Sequence, residues 1–219
     1  MSSIFAQDSP LMRFLTRIAD LMILNLIFIA TSIPIVTLGA ALTALNFTAM
    51  RLVRGKEESV TRDYFRSFRQ NFRQATILGL GMLLLIAVFY AWFVVVTDLA
   101  PEGLARLVLL ALWYLVAFGF ALNLIWVFPY LATFEGTLRE VLSTSRKLSW
   151  KHPFTSFAVA AIIALTVIVT VFSPQATGFG LLWLLIGFAG VAFITGVLFS
   201  RVFAKYAPEL APAEEPDEE

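Results

Sequence analysis

The positive charges of this chain are distributed very unevenly, and this constrains its fold more than any other feature. All but one of the 16 lysine and arginine residues fall in segments that hydropathy places on one side of a membrane; the exception is Arg106. Membrane proteins concentrate these residues in loops that face the cytoplasm. The pattern therefore predicts a multi-pass membrane protein with the basic segments inside.

The composition agrees with lipid as the main solvent. The chain is 59% hydrophobic and 14% charged, whereas a soluble domain is about 45–50% apolar and about a quarter charged. It has no cysteine and a single histidine, His152, which excludes disulfides, thiol nucleophiles and multi-histidine metal sites. We expect no cofactor and no enzymatic activity.

Six helices of membrane-spanning length are predicted, since a crossing takes roughly 20 helical residues. Uncharged stretches give four of them, at residues 75–97, 107–134, 154–172 and 179–200. The last two are separated by residues 173–178, a segment that contains Pro174 and Gly178. Proline and glycine end helices, so we expect the break there.

The first apolar block, residues 14–53, is broken at Ser32-Ile33-Pro34. One straight helix would be roughly 60 Å long, about twice the hydrocarbon core of a bilayer. We interpret the block as a hairpin of helices at 14–31 and 38–53, the first being a retained signal anchor. Both termini would then face the cytoplasm. A re-entrant loop at 32–39 is the alternative.

The second helix is rich in small residues. Ala40, Ala44 and Thr48 repeat every four residues, a pattern that lets helices approach closely. We therefore expect tight packing on this face.

Both long basic connections are predicted to be amphipathic helices in the cytoplasm. Residues 60–74 alternate arginines and aromatics at a helical period, namely Arg62, Arg66, Arg69 and Arg73 with Phe65, Phe68 and Phe72. Such a helix lies in the membrane interface with its cations at anionic headgroups; docking to a cytoplasmic protein is the alternative. Nucleic acid is not expected, because the same face anchors the membrane. The second connection opens with a capping box at Thr137 and Glu140.

A few polar residues lie within the predicted spans. An ionisable side chain at membrane depth suggests a functional site, and Asp20 is the one acid of the first helix. Arg17 lies three residues earlier, so a structural ion pair is the simpler interpretation and an ion site the alternative. Asn25, Asn46 and Asn123 could bond across helices or line a polar substrate site.

The end of the chain differs from the rest. Residues 207–219 contain three prolines and a run of acids from Glu214 to Glu219. Such a segment cannot bury apolar surface. We predict one transmembrane domain over residues 1–206 and a disordered acidic tail after it.

Three segments are distinctive: residues 13–21 (RFLTRIADL), 32–40 (SIPIVTLGA) and 62–76 (RDYFRSFRQNFRQAT). They resemble the YesL family of small bacterial multi-pass membrane proteins. The likeness is specific over these segments and continues loosely through His152-Pro153; the acidic tail is not a family feature. This family is a domain of unknown function, often encoded beside sugar-uptake transporters and polysaccharide-degrading enzymes. The resemblance implies a bacterial plasma membrane, suggests carbohydrate uptake and supplies no catalytic residues.

Two functions remain as hypotheses. The first is a non-catalytic accessory partner that regulates a carbohydrate-uptake transporter, with a sugar permease as its partner beside the lipid bilayer. The alternative is a small transporter or channel in its own right, for which Asp20 and the three asparagines would form the polar site.

Overall fold

The computed structural model describes residues 10–99, 102–172 and 180–208. Within these residues the chain is helical and contains no β-strand. The main helices are α1 (Pro10–Ser32), α2 (Leu38–Arg54), α3 (Val60–Val94), α4 (Leu104–Thr133), α5 (Leu138–Lys151), α6 (Pro153–Phe172) and α7 (Phe188–Phe203). The predicted break at 173–178 and the predicted tail from residue 209 onward lie outside the described residues.

Six helical stretches are long and apolar enough to cross a membrane, as predicted. They run over Leu11–Ser32, Ile35–Arg54, Val60–Asp98, Leu104–Thr133, Pro153–Phe172 and Gly180–Phe203. Two of them include a short π-helical turn, at Val95–Leu99 after α3 and at Trp183–Gly187 before α7. The all-helical architecture with six spans of suitable length is therefore confirmed.

The connection between α1 and α2 is a tight turn that contains a 3₁₀ segment, Ile35–Thr37. The hydroxyl of Thr37 donates to the carbonyl oxygens of Thr31 at 2.6 Å and Pro34 at 2.7 Å. These bonds end one helix and position the start of the next. The structure therefore forms the two helices of the hairpin interpretation.

α2 is the helix around which the others pack. The predicted small-residue face is buried: Ala40, Ala44 and Thr48 are each 0% exposed. A Cβ atom placed on Gly39 would lie 2.1 Å from the carbonyl oxygen of Ala75, and one on Gly79 would lie 2.9 Å from the Cα of Gly39. The backbones of α2 and α3 therefore touch, and side chains at these two glycines have no room.

The predicted separate helix at 60–74 is wrong in its boundaries. These residues are the first part of α3, which runs from Val60 to Val94 without interruption. No proline or glycine lies near residue 74, and the buried Ala75 packs beside Gly39, so nothing ends the helix there. The stretch Val60–Asp98 has 39 residues and is about 58 Å long.

The aromatic face of residues 60–74 does not point uniformly outward. Tyr64 is fully buried, and its hydroxyl lies 2.5 Å from the hydroxyl of Thr31. Phe65 and Phe68 pack against the core that α1, α2 and α7 share, while Phe72 is 39% exposed. Much of this face therefore contacts protein.

Packing is concentrated in one half of the molecule. In α3 the buried residues end at Met82, in α4 they begin at Leu122, and α6 buries only Ser156 and Val159. We call the region made of α1, α2, α5, α7 and residues 60–82 and 122–133 the packed half. Residues 83–94, 104–121 and 160–172 form the open half, whose large apolar side chains are mostly exposed.

Candidate functional site

A buried carboxylate joins α2 to α3 near their connection. Asp63 is fully buried and accepts hydrogen bonds from Arg51 Nε at 2.9 Å and from Arg66 Nη2 at 2.7 Å. The backbone N–H of Glu58 also donates to it, at 3.4 Å. The ring of Phe47 lies 5.7 Å from the Arg51 guanidinium and 5.9 Å from that of Arg66. This charged cluster therefore fixes the register of the two helices.

Sequence reasoning missed Asp63. It treated residues 60–74 as a surface helix, on which an acid between arginines is ordinary. The signal that points to it is its position in the first turn of a helix, where acids are favoured, twelve residues after Arg51 across the turn at Gly55. Gly55 has a φ of 63°, which suits glycine and reverses the chain there.

Four arginines form one exposed face of α3, which we call the arginine stripe: Arg62, Arg66, Arg69 and Arg73. Residues at spacings of three and four share a helix face. The first three border a groove of about 680 Å³ that is also lined by Ser59, Thr61, Phe65 and Gln70. The structure thus brings together part of the predicted binding set, and Phe65 lies among its arginines.

Asp20 and Arg17 do not form the ion pair that the sequence suggested. Arg17 Nη1 instead pairs with Glu57 Oε1 at 2.6 Å. The turn at Gly55 brings this connection close to α1, since a Cβ on Gly55 would lie 3.8 Å from the Arg17 guanidinium. Asp20 is half-buried in α1, and no ion pair among the described residues includes it.

The side chain of Asn25 forms hydrogen bonds with the protein's own backbone. Its Nδ2 donates to the carbonyl oxygens of Trp183 at 2.8 Å and Leu184 at 2.7 Å, and its Oδ1 accepts from the N–H of Ala189 at 3.0 Å. A π-helical turn interrupts the regular hydrogen-bond ladder, and Asn25 satisfies groups around that turn. The side chain therefore fastens α1 to the segment that leads into α7.

The other two amides lie elsewhere. Asn46 Nδ2 donates to the Leu42 carbonyl of its own helix at 2.8 Å. Asn123 has a buried Oδ1 without a hydrogen-bond partner. No hydrogen bond among the described residues joins any two of Asp20, Asn25, Asn46 and Asn123. The structure therefore gives no direct link within the predicted polar set.

An aromatic cleft lies between α3 and α4 in the open half. It has a volume of about 450 Å³ and is lined by Ile86, Phe89, Tyr90, Phe93, Trp113, Tyr114, Ala117 and Phe120. Trp113 Nε1 donates to the Phe89 carbonyl at 2.9 Å, which satisfies its polar atom. The rings of Tyr90 and Tyr114 remain 70% and 59% exposed. The sequence does not predict a concave site here.

The junction of α5 and α6 holds the segment that follows α7. The capping box predicted at Thr137 and Glu140 is present at the start of α5, and the Thr137 amide and hydroxyl hold the pKa of Glu140 below its usual value. At the other end of α5, His152 Nε2 lies 2.8 Å from the hydroxyl of Tyr206. Burial, then Lys205 and Lys151, lower the pKa of His152.

The chain is similar to a family of proteins of unknown function. The family model described as "Protein of unknown function, DUF624" matches residues 21–93. The protein named "Uncharacterized protein YesL" of Bacillus subtilis (strain 168) is 27% identical over 146 residues, which cover 66% of this chain and 68% of that protein. Both matches support an assignment of this chain to the YesL family.

The segment matched by the family model covers the region where α2 packs against α3. Residues 21–93 include all of α2, the Asp63 cluster and the arginine stripe, but neither Asp20 nor Asn123. No solved structure shows significant similarity to the chain. The described residues contain no group of histidine and acidic side chains that could hold a metal ion.

Proposed function

We propose that this YesL-family protein is a non-catalytic accessory partner of a membrane transporter. The observation that carries the proposal is the closed centre of the bundle. α2 contacts α3 backbone to backbone at Gly39, and Ala40, Ala41 and Ala44 are 0% exposed. A solute path along this helix would have to separate those contacts.

The concave surfaces support the same proposal because they open on the outside. The groove beside the arginine stripe is lined by α3 and the residue before it, Ser59. The aromatic cleft is lined by α3 and α4 and exposes Tyr90 and Tyr114 in a region with few internal contacts. Aromatic residues are common at protein interfaces, so we propose that the partner docks on the open half.

The partner that we propose is a permease for carbohydrate uptake, and the support for it is the resemblance to the YesL family. We also propose that the protein spans a bacterial plasma membrane with both termini in the cytoplasm. The charge asymmetry supports this orientation. Reporter fusions at Ile35 and Leu104 test it, since both should give a periplasmic signal while a fusion after Pro208 gives a cytoplasmic one.

Two measurements test the accessory role. Deleting the gene should reduce uptake of at least one sugar by the host while the permease itself remains present. The purified protein in liposomes should give no sugar flux above that of protein-free liposomes. Specific flux carried by the purified protein alone would refute the proposal.

Variants of the cleft test the docking face. Tyr90→Ala with Tyr114→Ala should reproduce the uptake defect at normal protein level, because the exposed rings contribute little to folding. The matched control is Leu165→Ala with Val171→Ala on α6, whose side chains are 63% and 67% exposed and lie outside the cleft. Equal effects from the two pairs would place the docking surface elsewhere.

A small transporter is the second candidate, and one observation favours it. Buried polar atoms without hydrogen-bond partners occur on several helices: Thr48 Oγ1, Asn123 Oδ1, Ser145 Oγ and Ser200 Oγ. Buried polar atoms normally have partners, so such atoms mark places where a polar solute could bind. Under this alternative Asn123→Leu abolishes flux in liposomes, and Asp20→Asn abolishes it if the transport is coupled to an ion.

A further inference from the structure

One exposed face of α3 changes from arginines to aliphatic residues without any break in the helix. The arginine stripe is followed, at the same spacing of three or four residues, by Ile77, Leu80, Leu84 and Val88. We call these four residues the aliphatic stripe. At 3.6 residues per turn, both stripes fall within a sector of about 100° around the helix axis. They form one continuous surface because residues 60–74 belong to α3.

Both stripes are accessible from outside the protein, although Arg66 also reaches inward to the buried Asp63. The side chain of Arg62 is 75% exposed, and Arg69 and Arg73 are also exposed. In the aliphatic stripe the exposed fraction runs from 42% at Leu80 to 66% at Leu84. A ligand could therefore contact the whole length of this face.

The arginine stripe keeps a positive charge after its own ion pairs are considered. Arg62 has Glu58 at 3.6 Å on the surface, and Arg66 shares Asp63 with Arg51. Arg69 and Arg73 take part in no ion pair among the described residues. Beside the stripe, the N-terminus of α3 adds the positive end of a long helix dipole, and no side chain caps it.

We propose that this face of α3 binds an anionic phospholipid lengthwise. The headgroup phosphate lies in the groove at Arg62, Arg66 and Arg69, where guanidinium groups suit phosphate oxygens. An acyl chain lies along the aliphatic stripe. From Arg69 to Leu80 the helix rises about 16 Å, close to half of the hydrocarbon core of about 30 Å, so the spacing of charge and apolar surface fits a lipid of one leaflet.

The proposal is independent of the accessory role and has its own test. The purified protein in an uncharged detergent is titrated with phosphatidylglycerol, and bound lipid is counted by native mass spectrometry. Arg62→Gln with Arg69→Gln should weaken binding roughly 30-fold, since each basic residue near a lipid surface contributes about 1 kcal/mol and a tenfold change is about 1.4 kcal/mol. Neither side chain contacts the buried Asp63, so folding should be retained.

The matched control is Arg139→Gln with Arg146→Gln on α5, which removes the same charge from exposed positions and should leave the affinity unchanged. A second pair, Leu80→Asn with Leu84→Asn, should weaken binding by disrupting the acyl contact. Phosphatidylcholine should bind far more weakly than phosphatidylglycerol.

Three outcomes would overturn the proposal. An equal loss of lipid affinity in the α3 and α5 double variants would mean that the lipid is attracted only to the net charge of the protein. Displacement of the lipid by inorganic phosphate, with no effect of the Leu80 and Leu84 changes, would mean a site for free phosphate. Absence of lipid binding, with an acidic peptide binding in its place and lost in Arg62→Gln with Arg69→Gln, would mean a protein-docking face. Melting temperatures of all variants establish that each is folded.

Discussion

The packed half and the open half are built from comparable helices but differ in what their side chains contact. In the packed half, small residues let α2 touch α3, and polar groups such as Asp63 and Asn25 are buried with hydrogen-bond partners. In the open half, α3 and α4 share aromatic contacts such as Phe89 with Trp113, while most aliphatic side chains face outward. Stability and register therefore come from the first region, and the second is left as surface.

This difference shows that the hydropathy of a helix does not tell whether the helix is buried inside the protein. α2 has the lowest mean hydropathy of the six candidate spans, 1.4, yet 56% of its most apolar window is buried. α4 has a hydropathy of 2.3 and only 6% burial. Protein surrounds the less apolar helix, whereas most of the more apolar helix lies on the surface of the molecule. Hydropathy alone would have ranked their structural importance in the reverse order.

The largest expected effect is on the buried carboxylate of the packed half. Asp63→Ala removes the hydrogen bonds from Arg51 and Arg66, both of which stay partly exposed. A hydrogen bond to a charged group contributes about 1.5–3 kcal/mol of unfolding free energy. Glu58→Ala is the control, because its pair with Arg62 is exposed and such pairs contribute about 0–1 kcal/mol. Unfolding in mixed SDS micelles measures both; similar small losses would show that the Asp63 cluster does not fix the helices.

Glycine substitutions test the close contact directly. Gly39→Ala places a methyl group on the Ala75 carbonyl, and overpacking of this kind costs about 1–3 kcal/mol. Gly81→Ala is the matched change, since nothing lies within 4 Å of its new Cβ and alanine favours a helix by about 1 kcal/mol over glycine. Opposite signs are expected in thermal unfolding, and a neutral Gly39→Ala would mean that α2 and α3 separate easily.

Asn25→Leu should lose about 0.6–2 kcal/mol, the range for interhelical hydrogen bonds in membranes. Three backbone groups around Trp183 and Ala189 lose their partner. Asn123→Leu is the comparison and should be neutral or stabilising, because its Oδ1 has no partner to lose. Unfolding free energies that fall equally in both variants would contradict the structural role given to Asn25.

In the open half, Leu84→Ala should change the unfolding free energy by no more than about 0.5 kcal/mol. Its side chain is 66% exposed, so little apolar surface is lost from the protein's interior. A loss similar to that of a core leucine would mean that a second protein copy or another helix covers this face in the membrane.

The smallest effect concerns pH. The pKa of His152 is lowered in the folded protein, so folding favours the neutral imidazole. Its contribution is present above the usual histidine value of about 6.5 and decreases as pH falls through the folded pKa. Wild type should lose slightly more stability than His152→Gln between pH 7.5 and 5.5. A parallel loss in both would mean that other groups cause it.

The sequence predicted those features that have local signals. Uncharged runs located the spans, Pro34 located the turn before α2, and the spacing of Thr137 and Glu140 predicted the capping box. The partners of Asp63 and Asn25 were not predictable in this way. Asn25 bonds to Trp183, 158 residues away, and the burial of Asp63 depends on α2 lying against α3.

The error over residues 60–74 has a specific physical cause. A change from charged to apolar composition near Gln74 was interpreted as the end of one helix and the start of another. The residue types on a helix indicate whether it lies in a polar or an apolar environment. Its ends depend on capping residues, proline and glycine. α3 contains no proline, and its helix continues through Gly79 and Gly81, so its composition changes while its backbone does not.

The poor hydropathy of α2 also bears on how the protein is made. A segment that gains most of its stability from neighbouring helices has little reason to enter lipid by itself. If α2 spans the membrane, it should leave the insertion machinery together with α1 and remain beside it until α3 has been synthesised. The contact between Gly39 and Gly79 would then form only after α3 has been made. A chain lacking α3 would expose this face of α2 and become a substrate for quality-control proteases.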